Sequence, residues 1–163
     1  MKPIKKILYA TDLSKPARNA LEYALNLATQ YDAQLTVMHV LPDMKEHYLA
    51  TSGLEFSAVF DDATWRKFTL EGLQDAKAKV KERILSLCAE DGVESSVCLP
   101  TSENIEIVVG NPADEIVERA KDFDMVVMGT QGHGRLSGFL LGSVAQSVAS
   151  RCPVPVLVVR LEG

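Results

Sequence analysis

The sequence predicts an α/β fold, an open five-stranded parallel sheet with helices on both faces. Five short apolar runs, rich in β-branched residues, have the length of buried strands. Four segments between them repeat their apolar residues every three or four positions, as amphipathic helices do. Strands and helices that alternate in this way form parallel strands joined by right-handed crossovers. At 163 residues, the chain is predicted to be a single domain over residues 1–163.

The first predicted unit is a strand, a helix and a second strand. The first strand is predicted at residues 7–10, and Ser14 in the following turn is a predicted N-cap for the helix. The second strand is predicted at Gln34–Leu41 and is closed by Pro42. The helix between them carries one apolar face, formed by Ala17, Ala20, Leu21, Ala24, Leu25 and Ala28.

The middle of the chain contains its least regular part. Residues 43–65 have no clean period and are predicted to be a variable insertion, either a loop or a loop with a short helix. A long helix is predicted over residues 67–89, and residues 93–99 are predicted to be an extended approach to the third strand. That strand is predicted at Ile105–Val109.

The last part of the chain alternates again between helix and strand. Pro112 is predicted to begin the third helix, because proline suits the first helical turn. A fourth strand is predicted at residues 125–128. The final helix is predicted to begin near Ser143 and to stop before Pro153, and the fifth strand is predicted at residues 154–160.

Composition excludes several classes of partner. The net charge of −5 and the pI near 5.2 argue against nucleic acid as an electrostatic partner. No apolar run reaches the length of a membrane helix, and the apolar N-terminal stretch, which ends at Ala10, is too short for a secretory signal. We therefore expect a cytoplasmic protein with no membrane partner. The cysteines and histidines form no metal-binding spacing; they are Cys88, Cys98, Cys152, His39, His47 and His133.

The candidate functional site is the glycine-rich segment between the fourth strand and the final helix. Its glycines are Gly129, Gly132, Gly134, Gly138 and Gly142. Ser143 follows the last glycine, no carboxylate lies in the segment, and Arg135 and His133 can carry positive charge. Main-chain N–H groups that glycine leaves uncovered, and those at a helix start, bind anions, so the pattern favours a phosphate. The alternative is an ordinary crossover loop in which glycine only permits tight turning.

The spacing of these glycines, Gly129-x2-Gly132-x9-Gly142-Ser143, is neither a Walker loop nor the G-x-G-x-x-G fingerprint. It resembles the G-x2-G-x9-G-[S/T] motif of the ATP-binding branch of the universal stress protein family. Residues 5–14, 108–116 and 143–159 are similar to further landmarks of that family, so the resemblance covers nearly the whole chain. It implies a Rossmann-like fold of the adenine-nucleotide-binding type, with strand order 3-2-1-4-5.

The resemblance also implies ATP, or else AMP or ADP, as the cofactor, bound where strands one and four adjoin. Within that site Arg135 and His133 would contact phosphate; the alternative is that they are solvated loop residues. The phosphates would contact backbone amides and side chains of the loop and the helix start, at Gly129, Thr130, Gly132, His133, Gly134, Arg135, Gly142, Ser143 and Val144.

Residues on three strands complete the implied site. Asp12 would face Gly129 across the crevice and either hydrogen-bond the ribose or contact Mg²⁺; the alternative is an aspartate that only caps a turn. The backbone of Val40 would contact adenine. Ala10 and Met128 would line the pocket for the base and sugar, or else they are plain core residues.

Three functions are consistent with these residues. The first is an ATP-binding universal stress protein that acts as a nucleotide-dependent regulatory module in the stress response. The second is a slow Mg²⁺-dependent ATPase or a self-phosphorylating protein, with Ser143, Thr130 or Ser137 accepting phosphate. The third is a nucleotide-free dimeric scaffold, which the intact glycine spacing argues against. No catalytic residue is predicted.

The fifth strand predicts self-association. It would lie at the edge of the sheet if the family order holds, and an apolar edge strand tends to pair. A homodimer is predicted through this strand, with Val156 and Val158 at the contact.

Overall fold

The structure is a computed structural model, and it describes residues 2–14, 17–43, 62–91, 104–130 and 141–160. Within these residues, five parallel strands form one sheet in the order β3-β2-β1-β4-β5. The predicted fold class and strand order are confirmed. The strands are β1 (Lys6–Thr11), β2 (Gln34–Leu41), β3 (Ile105–Val109), β4 (Met125–Gly129) and β5 (Val156–Val159). The helices are α1 (Arg18–Tyr31), α2 (Asp62–Asp91), α3 (Pro112–Arg119) and α4 (Ser143–Arg151).

Helices cover the sheet on both faces, and alternate residues of each strand enter different cores. On β1, Ile7 and Tyr9 pack with α1 and α2, whereas Leu8 and Ala10 pack with α3 and α4. All four side chains are buried, because β1 is the central strand of the sheet. A strand with both faces covered has no solvent side, so its sequence is continuously apolar rather than alternating.

The start of α1 differs from its prediction. The helix begins at Arg18, and the cap position is taken by Ala17, which forms no side-chain cap bond. The Ala17 N–H instead donates to the Ser14 carbonyl at 3.2 Å. The prediction of Ser14 as the N-cap of α1 is therefore wrong, since Ala17 occupies that position.

Several other boundaries differ, among them the starts of α2 and β5. Helix α2 begins at Asp62 rather than near residue 67, because a helix extends at little cost once it has been nucleated. Strand β5 begins at Val156 rather than at residue 154, since Pro155 has no N–H to donate to a strand ladder. The remainder of the predicted insertion, at residues 44–61, and the predicted approach at residues 93–99 lie outside the described residues.

No helix in the described part of the chain, not even the 30-residue α2, is long and apolar enough to cross a membrane.

Helix α3 is held at both ends by side chains. The Asn111 side chain accepts hydrogen bonds from the N–H groups of Ala113 (3.0 Å) and Asp114 (3.3 Å), which satisfies the helix start. At the other end, Arg119 forms a two-pronged bond to Glu106 on β3, at 2.6 Å and 2.5 Å, and these bonds raise its pKa. The start of α3 therefore has its own polar partners.

Asp124 ties the amino-terminal ends of β1 and β4 together. Its Oδ2 accepts the N–H groups of Lys5 (2.9 Å) and Lys6 (3.0 Å), and its Oδ1 lies 3.5 Å from Lys2 Nζ. Hydrogen bonds to a carboxylate favour its charged form. The two backbone bonds, and to a lesser degree Lys2, therefore lower the pKa of Asp124 below its ordinary 3.8.

This shift predicts how stability depends on pH. A carboxylate with a depressed folded pKa stabilises the fold above its unfolded pKa, and this contribution is lost as pH falls through the folded pKa. Asp124→Asn is expected to lower the urea midpoint at pH 7, and the difference from wild type should shrink below pH 3.8. Urea titrations at pH 7, 4 and 2.5 measure this; an equal gap at all three values would contradict it.

Candidate functional site

The candidate site lies at the carboxyl ends of β1 and β4. The two strands are neighbours, and Ala10 pairs with Met128 at the end of the register. After β1 the chain turns toward the face that carries α1, whereas after β4 it turns toward the face that carries α4. Neighbouring connections that leave on opposite faces open a crevice between them, which is where open α/β sheets bind ligands. Asp12 and Gly129, more than a hundred residues apart, therefore border one crevice.

The two ends of the glycine-rich segment are tied together. The Gly142 N–H donates to the Thr130 carbonyl at 2.8 Å, and the Thr130 N–H donates to Val159 on β5 at 2.9 Å. The two ends of the segment therefore lie next to each other at the end of β4, directly before α4. Gly132, His133, Gly134, Arg135, Ser137 and Gly138 lie outside the described residues, so their roles stay predictions.

The start of α4 has a glycine at its cap position. Gly142 has φ −60° and ψ 156° and, having no side chain, makes no side-chain cap bond; the first turn contains no acidic residue. The first helical bond runs from the Gln146 N–H to the Gly142 carbonyl at 2.9 Å. The amides of Ser143 and Val144 precede that bond and point outward from the helix start. In this respect α4 differs from α3, whose start is capped by Asn111.

Ser143 is the first residue of α4, and its side chain is exposed. Its hydroxyl can therefore reach a ligand at the helix start. Positive potential at a helix start and a first turn without an acidic residue both favour an anion there.

Asp12 lies in a tight turn that follows β1. Its Oδ1 accepts the Ser14 N–H at 3.0 Å, and Thr11 Oγ1 accepts the Leu13 N–H at 3.1 Å. The Oδ2 of Asp12 is buried. The carboxylate therefore makes the contact that a turn-capping role requires, and its predicted contact to ribose or Mg²⁺ stays a prediction.

The apolar residues of the implied base and sugar pocket lie on one face of the sheet. Ala10, Val40 and Met128 come from the ends of β1, β2 and β4, and they are between 5% and 8% exposed. All three pack in the core beneath α3 and α4. Their side chains are thus core residues here, and only the edge of this cluster or its backbone can meet a ligand.

Two polar side chains near Asp12 were not among the predicted site residues. His39 Nδ1 lies 2.8 Å from the Thr11 carbonyl oxygen, and Tyr9 donates from its buried hydroxyl to the Ala17 carbonyl at 2.9 Å. Both bonds brace the turn that carries Asp12. The sequence signal for His39 is its position next to Val40 at the end of a predicted strand, but no local pattern shows that strand two adjoins strand one.

Metal-binding groups are sparse in this region. Among the described residues, no cluster of three or more histidine, cysteine, aspartate or glutamate side chains could hold a metal ion. Cys152, between α4 and β5, is a free thiol and half-buried. Any Mg²⁺ at the crevice would therefore have to take most of its ligands from a bound nucleotide and from water.

Comparison with known proteins assigns the chain to a family. The model of the universal stress protein family matches residues 3–160. Universal stress proteins MJ0531 and MJ0577 of Methanocaldococcus jannaschii are each 32% identical to this chain, over 158 and 166 residues. Both alignments cover 96% of this chain, and they cover 82% and 94% of the two relatives.

The solved structures agree with this assignment. The structure of MJ0577 matches with a TM-score of 0.72 and 28% identity and covers 99% of both chains. UspA from Lactobacillus plantarum matches with a TM-score of 0.62 and 25% identity, over 98% of this chain and all of that one. Sequence and structure together show that the chain belongs to the universal stress protein family.

Proposed function

We propose that this universal stress protein binds ATP in the crevice between β1 and β4, and that nucleotide occupancy regulates its action in the stress response. The observation that carries the proposal is the start of α4, where glycine occupies the cap position at the point where the two ends of the glycine-rich segment are hydrogen-bonded. A helix start with glycine at its cap, a hydroxyl at its first position and no acid in its first turn has the features of a phosphate site.

The residues at this edge of the sheet fit a triphosphate. The amides of Ser143 and Val144 and the Ser143 hydroxyl would bind phosphate oxygens, and Gly142 lets the phosphate approach because it has no Cβ. Gly129 and Thr130 begin the segment on the other side. Across the crevice, Asp12 would hydrogen-bond the ribose or contact a Mg²⁺ ion that balances the phosphate charge.

The base would lie toward β2. The backbone of Val40 is proposed to contact adenine, and Ala10 and Met128 lie between Val40 and the start of the glycine-rich segment on the same face of the sheet. In the proposed site, the edge of this apolar cluster would lie beside the base and sugar, and bare amides would lie beside the phosphates. An adenine nucleotide has the same arrangement, with an apolar base at one end and charged phosphates at the other.

ATP binding is tested by the nucleotide that the purified protein retains. Native mass spectrometry of fresh protein is expected to show an adenine nucleotide, and titration calorimetry is expected to show ATP binding. Incubation with ATP and Mg²⁺ then separates a binder from a slow ATPase, since a binder forms no ADP or phosphoprotein above background. A protein that neither retains nor binds an adenine nucleotide would be the dimeric scaffold, and the proposal would be wrong.

We also propose a homodimer through β5. Among the described strands β5 pairs with β4 alone, so the backbone N–H and C=O groups of its other edge can pair with a second copy. Sedimentation is expected to give about twice the chain mass of 17.8 kDa. Val158→Lys is expected to shift the mass toward a single chain, and because Val158 also packs against the core beneath α3 and α4, thermal unfolding is measured beside it to show that the variant is folded. A wild-type monomer in dilute solution would contradict the dimer.

A further inference from the structure

His39 lies at the carboxyl end of β2, directly before Val40. In the strand register it pairs with Thr11, the last residue of β1. Its Nδ1 is 2.8 Å from the Thr11 carbonyl oxygen. Because a carbonyl oxygen only accepts hydrogen bonds, Nδ1 carries the proton and donates it.

The Thr11 carbonyl points toward β2. The Lys5 carbonyl accepts from Gln34 of β2, whereas the Lys6 carbonyl accepts from Asp124 beside β4. Carbonyls alternate in direction along a strand, so those of odd-numbered residues in β1 face β2. The Thr11 carbonyl is the last of these. His39 therefore adds a side-chain hydrogen bond to the peptide unit through which β1 continues into Asp12.

The turn that follows needs to be held. Leu13 has a φ of 63°, a left-handed conformation that is unfavourable for a leucine. Such conformations persist when surrounding contacts determine them, and they concentrate at ligand sites. Two bonds within the turn, from the N–H groups of Leu13 and Ser14, fix its far side. The bond from His39 fixes its near side, from a different strand.

We propose that His39 is a positioning residue of the nucleotide site. Its bond to the Thr11 carbonyl sets the peptide unit before Asp12 and so sets where the Asp12 carboxylate stands in the crevice. His39 itself touches no ligand in this assignment. The inference rests on the proposed function, because only there does Asp12 contact the nucleotide.

Three variants on β2 test the assignment. His39→Phe keeps an aromatic ring but removes the donor, whereas His39→Asn places a side-chain N–H near the position of Nδ1. Val37→Ala is the matched control, because Val37 is 1% exposed on the same face of β2 and pairs with Tyr9 rather than with Thr11. The control measures what a general weakening of this core does to the site.

The first readout is hydrogen exchange of the nucleotide-free protein. In His39→Phe, the Leu13 and Ser14 amides are expected to exchange about ten-fold faster once global stability is accounted for. The second readout is ATP affinity, which is expected to fall about five-fold in His39→Phe, with a loss of less than about two-fold in His39→Asn and Val37→Ala. In an Asp12→Ala background, His39→Phe is expected to cause no further loss.

The outcomes separate this inference from the proposed function. Suppose that wild type binds ATP and that His39→Phe lowers the affinity by the same factor whether Asp12 is present or replaced by alanine. His39 then does not act through Asp12, and the inference is overturned. An equal loss in Val37→Ala, or unchanged exchange of the turn amides, overturns it as well. If wild type does not bind ATP, the proposed function fails and the assignment of His39 fails with it.

Discussion

Replacing Gly142 with valine is expected to weaken ATP binding at least about 100-fold, which corresponds to about 2.7 kcal/mol of binding free energy. The backbone of Gly142 has φ −60° and ψ 156°, a conformation that valine adopts without strain, so the fold should survive. The branched side chain would instead stand at the start of α4 and keep a phosphate away from the Ser143 and Val144 amides. Titration calorimetry measures the affinity, and thermal unfolding checks the fold.

Gly72 provides a matched control for this substitution. It lies in α2, and a Cβ placed there meets no atom within 4 Å. Gly72→Ala is expected to leave ATP affinity unchanged and to raise the free energy of unfolding by about 0.5–1 kcal/mol, because alanine favours a helix. Wild-type ATP affinity in Gly142→Val would place the phosphates elsewhere. Adding Gly132→Val to Gly142→Val is expected to abolish binding.

Leu8→Ala is expected to lower the free energy of unfolding by about 3 kcal/mol or more. Leu8 is 0% exposed, in the middle of the central strand, and it pairs with Thr36 on one side and Val126 on the other. Removing its side chain leaves a cavity that neighbours in a sheet cannot collapse to fill. Urea titration measures the loss, and the melting temperature should fall by about 6–12 °C for a domain of this size.

Leu70→Ala is the control for that change. Leu70 is 60% exposed on α2, so the same truncation should change the free energy of unfolding by less than about 0.5 kcal/mol. The chemical change is identical at the two leucines, so most of the contrast is expected to come from burial, with a smaller part from the preference of alanine for a helix over a strand. Equal losses at both positions would contradict the assignment of Leu8 to the core.

The local sequence pattern predicted the bounds of some elements correctly to within one residue and missed the bounds of others. The bounds of β2 and β3 are those that the apolar runs predict, because each run is enclosed by residues that break a strand. Pro112 begins α3 as predicted, and the structure adds the Asn111 cap. The start of α1 was missed, since nothing in the local composition shows that Leu13 adopts a left-handed turn.

The candidate site divides in the same way. The glycine spacing and Ser143 identified the phosphate end of the site, because that pattern is local and specific. The turn contact of Asp12 is local and agrees with the turn-capping alternative, whereas the support from His39 was not predicted, since it depends on a side chain from the neighbouring strand. The burial of Ala10, Val40 and Met128 beneath α3 and α4 likewise depends on how distant segments pack.

By itself, the sequence determined the order of strands and helices along the chain, the apolar faces of these elements and the family. These follow from periodicity and spacing, which are properties of neighbouring residues. The tertiary structure decided that Ala10 pairs with Met128, that His39 contacts Thr11, and that Ala10, Val40 and Met128 are buried beneath α3 and α4. Contacts across so many residues are set by which strands pair and which faces pack, and many strand orders satisfy the same local pattern.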